Sequence, residues 1–123
     1  MDKIPFGAIA MYAFVDKLTC GLQQFGEPVP PYGTSMHLRA FWHDPWLFGR
    51  ITALHALGDI WAMGAKPQAA LAQISLPRMT ASLQERWLEE IMQASSEVFG
   101  EFGAAIVGGH STQGAELTIG FTV

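Results

Sequence analysis

The chain has 123 residues, of which 50% are hydrophobic and only 15% are Asp, Glu, Lys or Arg, against about 25% charged residues in an average soluble domain. That composition excludes intrinsic disorder, and a net charge of −4, from 7 basic and 11 acidic residues, argues against a nucleic-acid or anionic-membrane surface. The length suits one domain around one core, and so little charge on so small a domain implies that part of its surface is buried against another chain.

In chain order, a first zone spans residues 1–39. Residues 4–15 (Ile-Pro-Phe-Gly-Ala-Ile-Ala-Met-Tyr-Ala-Phe-Val) form an apolar run rich in aromatic and β-branched residues. A signal peptide is weighed against a strand here. Pro5 and Gly7 interrupt the run and no clean cleavage site follows, so a buried strand is expected. Residues 26–33 hold three prolines and two glycines and read as a loop. No run reaches the roughly 20 apolar residues of a membrane span. Cys20 is the only cysteine, which excludes an intrachain disulfide and a cysteine-rich zinc site and fits a reducing, cytoplasmic compartment.

The second zone, residues 40–123, is more regular. Asp44-Pro45 reads as an N-cap followed by proline at the first helical position. The helix should run to about Met63 and stop at Gly64, with Pro67 barring its continuation. Leu47, Ile51, Leu54, Leu57 and Trp61 recur at spacings of three and four and are expected as its apolar face. Residues 66–76 read as a buried strand. Ser82-Leu83-Gln84-Glu85 has the form of a capping box. It would open a second helix that packs through Leu83, Trp87, Leu88, Ile91, Val98 and Phe102 and ends at Gly103. Residues 104–107 read as a short buried strand. After Gly108-Gly109-His110-Ser111 and a turn at Gln113-Gly114, residues 116–123 alternate as a last strand. The order predicts an α+β domain of α/β layers, with a mixed or antiparallel sheet and two main helices. A chain that stops on a strand is expected of a piece of something longer.

Four places could carry chemistry. Gly108 and Gly109 at the end of a buried strand would let backbone N–H groups approach an anion, with Ser111 and Thr112 adding hydroxyls; a plain tight turn is the competing reading. Asp59 stands between Leu57, Ile60 and Trp61, where a carboxylate is costly unless paired, hydrogen-bonded or metal-bound. Gly58 beside it suggests close approach by a backbone or ligand, and a solvent-facing stripe is the alternative. His37, His43, His55 and His110 show no metal-ligand spacing and read as surface or satisfied core histidines. Lys17 near Cys20 could lower a thiol pKa, but an unreactive cysteine is favoured.

The segment Asp44-Pro-Trp-Leu-Phe-Gly-Arg50 through Asp59-Ile-Trp-Ala-Met-Gly-Ala-Lys-Pro67 resembles the DPYxFGRIAAxxAxxDIxAMGxxP segment of selenophosphate synthetases (selenide, water dikinases). Val107-Gly-Gly-His-Ser111 is similar to their VGGH[ST] segment, and residues 55–59 and 114–120 look most like the form fused to a flavin-containing NADH-dehydrogenase-like module. The likeness covers residues 40–123, with residues 1–39 divergent. It implies the N-terminal domain of the aminoimidazole-ribonucleotide-synthetase superfamily, whose sheet pairs with a second subunit's into a closed barrel across the dimer. ATP and Mg2+ would bind near it, with Asp59 in the metal–nucleotide region and Gly108, Gly109, His110 and Ser111 on the phosphate side. The low charge would then reflect sheet faces and edges buried in the dimer and against a second domain.

The departures from that pattern weigh on function. The family's Cys or selenocysteine precedes an essential Lys by three residues, whereas here Lys17 precedes Cys20. A family aspartate aligns without gaps onto Met36, the first of two paired acids is His43, and an earlier Asp-Asp motif is missing. Magnesium–phosphate chemistry needs several convergent carboxylates. The expectation is therefore one domain, 1–123, that resembles a truncated synthetase. It would be non-catalytic alone and act as a homodimeric binding module, with a full-length or C-terminal-domain protein as a further candidate partner, without nucleic acid or membrane. A residual ATP–Mg2+-binding domain of a phosphotransferase is the alternative.

Overall fold

The computed structural model describes residues 33–123. The expected strand at 4–15, nearly all of the loop at 26–33, and Lys17 with Cys20 lie outside the described residues. Six elements follow in order: β1 (Ser35–Arg39), α1 (Pro45–Ala62), β2 (Ala69–Pro77), α2 (Ala81–Glu101), β3 (Ala105–Gly114) and β4 (Thr118–Thr122). The strands form one sheet in the order β1-β4-β2-β3. β2 and β3 are parallel, and β4 runs antiparallel to both β1 and β2. Parallel neighbours need a crossover, and α2 supplies it. This is the α+β class with a mixed sheet and two helices that the element order predicts.

Local chemistry sets the helix ends. The Asp44 carboxylate accepts from the N–H groups of Trp46 at 3.0 Å and Leu47 at 3.3 Å, with Pro45 opening α1. Gly64 closes it with a φ of +70°. The capping box at Ser82 does not form. α2 starts at Ala81 with Thr80 as its cap, and the Thr80 side chain makes no capping hydrogen bond. The Gln84 side chain is drawn instead to the Pro77 carbonyl at 2.9 Å, which ties the start of α2 to the end of β2.

The apolar face expected for α1 is also rotated. Only Leu57 of the five expected residues is buried; Leu47, Leu54 and Trp61 are exposed, and Ile51 is half-buried. The buried side is Phe48, Gly49, Thr52, Ala53, Ala56, Leu57 and Ile60. Contact with α2 explains the choice. A Cβ on Gly49 would stand 3.1 Å from the Ile91 carbonyl oxygen, and the Ser95 hydroxyl donates to the Gly49 carbonyl at 3.2 Å. Two helices this close accept glycine, alanine and threonine between them and turn larger side chains outward. On α2, Ile91 and Val98 are buried as expected, joined by Ala94, Ser95 and Phe99, while Leu83 and Phe102 face out.

Ala70, Ala72, Ile74 and Leu76 of β2 and Ile119 and Phe121 of β4 meet the helices in one core. Phe99 and Phe121 pack edge to face there, ring centroids 5.1 Å apart. Such a pair adds about 1 kcal/mol to its burial. Met36, onto which the ungapped likeness puts a family aspartate, packs against this core from β1. It fills space at that place and offers no metal ligand.

Candidate functional site

Asp59 lies in the last turns of α1, half-buried. Its Oδ2 accepts from the Thr34 hydroxyl at 3.0 Å, just before β1. The carboxylate therefore faces the β1 side of the sheet with a neutral donor. Gly58 beside it has open space where a Cβ would stand, so no described backbone crowds it. The close approach that glycine permits on α1 is at Gly49.

Gly108, Gly109, His110 and Ser111 do not form a turn. They lie inside β3, paired in parallel with Leu71, Ala72, Gln73 and Ile74. The turn reading failed because two adjacent glycines are punctuation in most contexts. Here they answer a cross-strand contact: a Cβ on Gly109 would stand 2.1 Å from the Ala72 carbonyl oxygen. The register shifts between Ala70 and Leu71, which leaves Val107 as an extra residue just before the glycines. An extended strand alternates its N–H directions, so it does not present the converging set of a phosphate nest.

β1 and β3 are the two opposite edges of the sheet. Three strand spacings separate them, about 14 Å. Asp59 on the β1 side and the Gly108–Ser111 segment on the β3 edge are therefore not brought together within one chain. Among the described residues no group of three His, Cys, Asp or Glu side chains stands together as a metal site. Among the described residues, Asp59 alone on one side and a glycine whose free face is filled by Ala72 on the other do not make up a magnesium–nucleotide centre.

The register creates a second constellation, on the sheet face away from the helices. His37 pairs with Gly120, Gly120 with Gln73, and Gln73 with His110, so one row crosses all four strands. The His37 ring lies over Gly120, where a Cβ would meet its Cδ2 at 2.3 Å, and its Nε2 bonds Gln73 Oε1. His110 Nδ1 is buried with no partner among the described residues. Ser35, His37 and Arg39 alternate visibly in the sequence with Met36 and Leu38, which signals the polar face of β1. The row itself depends on a strand order that no local pattern encodes. On the helix side, a groove of about 410 Å³ runs between β3 and α2, lined by Ala72, Ile74, Leu88, Met92, Ile106 and Val107 and by residues 108–111.

The comparisons with known proteins agree with this fold. Residues 31–123 match the family described as AIR synthase related protein, N-terminal domain. The chain belongs to that family. It is 42% identical over 81 residues to a selenide, water dikinase of Nitratidesulfovibrio vulgaris (strain DSM 19637 / Miyazaki F), covering 66% of this chain and 23% of that protein. It is 34% identical over 103 residues to the same enzyme of Geobacter sp. (strain M21), covering 84% of this chain and 29% of that one. The chain thus spans less than a third of the length of these relatives. Among solved structures, thiamine-monophosphate kinase from Stenotrophomonas maltophilia K279a superposes with a TM-score of 0.64 at 26% identity, over 74% of this chain and 29% of that one. Hydrogenase maturation protein HypE in complex with ATP shares the fold at a TM-score of 0.57 and 18% identity, over 82% of this chain and 36% of that one. The family likeness expected from residues 40–123 therefore holds, and it extends upstream to residue 31. Among the described residues no helix is long and apolar enough to cross a membrane.

Proposed function

We propose that this AIR synthase-related domain is a dimeric binding module that does not complete a phosphoryl-transfer centre within one chain. One observation carries the reading: Asp59 and the Gly108–Ser111 segment, the two places where resemblance puts metal and phosphate, sit against opposite edges of the sheet. Phosphoryl transfer needs cations and donors converged on one phosphate, and a single copy holds these groups apart.

The alternative is residual ATP–Mg2+ binding. The ATP-bound HypE relative favours it at the level of fold. The separation then requires a second copy, whose Asp59 would approach the first copy's β3 edge. In that arrangement Asp59 would hold the cation, and the backbone and hydroxyl groups of residues 108–111 would face phosphate oxygens.

Two measurements separate these readings. Light scattering at tens of micromolar should give the mass of a dimer; a monomer would count against both. Calorimetric titration with ATP–Mg2+ should give no heat at millimolar nucleotide. Heat that disappears in Asp59→Asn would favour the alternative, and heat unaffected by that substitution would clear Asp59 of the role.

A further inference from the structure

We propose that the outer face of α1, with the α2 edge beside it, is a docking surface for a basic amphipathic helix of another protein. The seam makes the first case. Leu47, Ile51, Leu54, Gly58 and Trp61 follow one another at alternating spacings of four and three, the repeat by which a helix presents one line to a second helix laid along it. From Leu47 to Trp61 the line runs about 21 Å, or four turns. Leu47, Leu54 and Trp61 are exposed and Ile51 is half-buried, while the opposite side of α1 is taken up by α2 and the sheet. An added strand needs unpaired backbone groups to bond with, and the middle of a helix offers none, so the fitting occupant is a helix.

Gly58 gives the seam its shape. Nothing described stands within 4 Å of where its Cβ would be, which leaves a gap between Leu54 and Trp61. Glycine inside a helix costs roughly 1 kcal/mol against alanine, and no described contact within the chain requires it here. A gap walled by two large apolar side chains accepts a knob, one leucine-sized side chain of a facing helix. Phe102 extends the wall past Trp61, with ring centroids 4.8 Å apart.

Charge selects the kind of helix. α2 carries five glutamates, at positions 85, 89, 90, 97 and 101, against one arginine, Arg86. Arg50 neighbours Leu47 and Leu54 on the α1 surface and lies 3.7 Å from Glu97 and 3.7 Å from Glu101. One guanidinium between two exposed carboxylates leaves a negative rim along the apolar line. Lysines or arginines flanking the apolar stripe of a docked helix would face that rim, as charges beside a coiled-coil seam do. A second copy brings the same five glutamates and the same net charge of −4, so two such faces set like charges together. The same sign opposes an anionic lipid surface.

The test uses a fluorescent synthetic helix of about 20 residues, with leucine at the two seam positions of each heptad and lysine flanking them. Its anisotropy should rise saturably as the full chain is added, and a peptide of the same composition in scrambled order should not bind. Leu54→Lys should weaken binding about tenfold or more. Glu97→Gln combined with Glu101→Gln should weaken it about fivefold and flatten its salt dependence. Glu116→Gln removes a carboxylate paired instead with Arg39 of β1 and should leave binding unchanged. Gly58→Ala separates docking from folding: the chain should become more stable while binding falls about threefold, because the gap is filled. Absence of saturable binding would overturn the proposal, as would equal binding of the scrambled peptide or an equal loss in Glu116→Gln. Equal binding of a peptide with glutamate in place of lysine would overturn it by removing the charge selection. Self-association lost in Leu54→Lys, with no peptide binding, would overturn it by giving the face to a second copy.

Discussion

On the open face of the sheet, Ser35, His37 and Arg39 stand beside Thr122, Gly120 and Thr118, and then Leu71, Gln73 and Ser75. On the outer face of α1, Leu47, Leu54 and Trp61 follow one another every seven residues, each 40–41% exposed, and Trp61 stacks edge-on against the exposed Phe102 with centroids 4.8 Å apart. The usual distribution of polarity is thus reversed between the two surfaces. Phe41, Trp42 and Met63, 56–63% exposed, extend the apolar side beyond both ends of α1. The low charge of the chain was expected to mark apolar sheet faces awaiting a partner. The sheet face is polar, and the exposed apolar surface that calls for cover is helical. Charge is scarce on α1 because its single cation in that stretch, Arg50, turns toward Glu97 and Glu101 of α2, 3.7 Å from each.

The contrast can be broken by substitution, beginning where the fit is tightest. Gly109→Ala should cost about 3 kcal/mol in a denaturant titration, because the new methyl group meets the Ala72 backbone and has nowhere to go. Gly49→Ala should cost about 1–2 kcal/mol, since Ile91 and Ser95 of α2 stand against it. Gly120→Ala, on the polar sheet face, should cost about 1 kcal/mol by driving the His37 ring off Gln73. Gly58→Ala should reverse the sign, adding about 0.5–1 kcal/mol, because a helix gains from alanine where the space is open. Smallest in stability is Leu54→Lys on the apolar face, within about 0.5 kcal/mol. If that face is a contact surface, its association constant should fall at least tenfold by sedimentation while folding stays intact. An association that responds to Gly120→Ala but ignores Leu54→Lys would reassign the contact to the sheet.

Much of the fold was legible because its determinants are local. Asp44, Pro45 and Gly64 set the ends of α1 through a cap, a fixed φ and a positive φ, and Gly103 does the same after α2. The buried face of α1 was misread because periodicity ranks residues by hydrophobicity, whereas close helix packing ranks them by size. Gly49, Thr52, Ala53 and Ala56 outcompete Leu47, Leu54 and Trp61 for the interface. The site was less legible for a different reason. Asp59 and residues 108–111 could be singled out one by one, but their separation follows from strand order, in which β4 crosses back between β1 and β2. The His37–Gln73 contact was hidden by the same long-range pairing.

The separation of Asp59 from the β3 edge is the central claim, and a titration of ATP–Mg2+ into monomeric protein tests it most directly. Calorimetry should be run below the concentration at which light scattering detects association. The account predicts no heat from the monomer up to millimolar nucleotide. Saturable binding by the monomer, abolished in Asp59→Asn with the fold intact, would show that one chain does assemble the site and would contradict it.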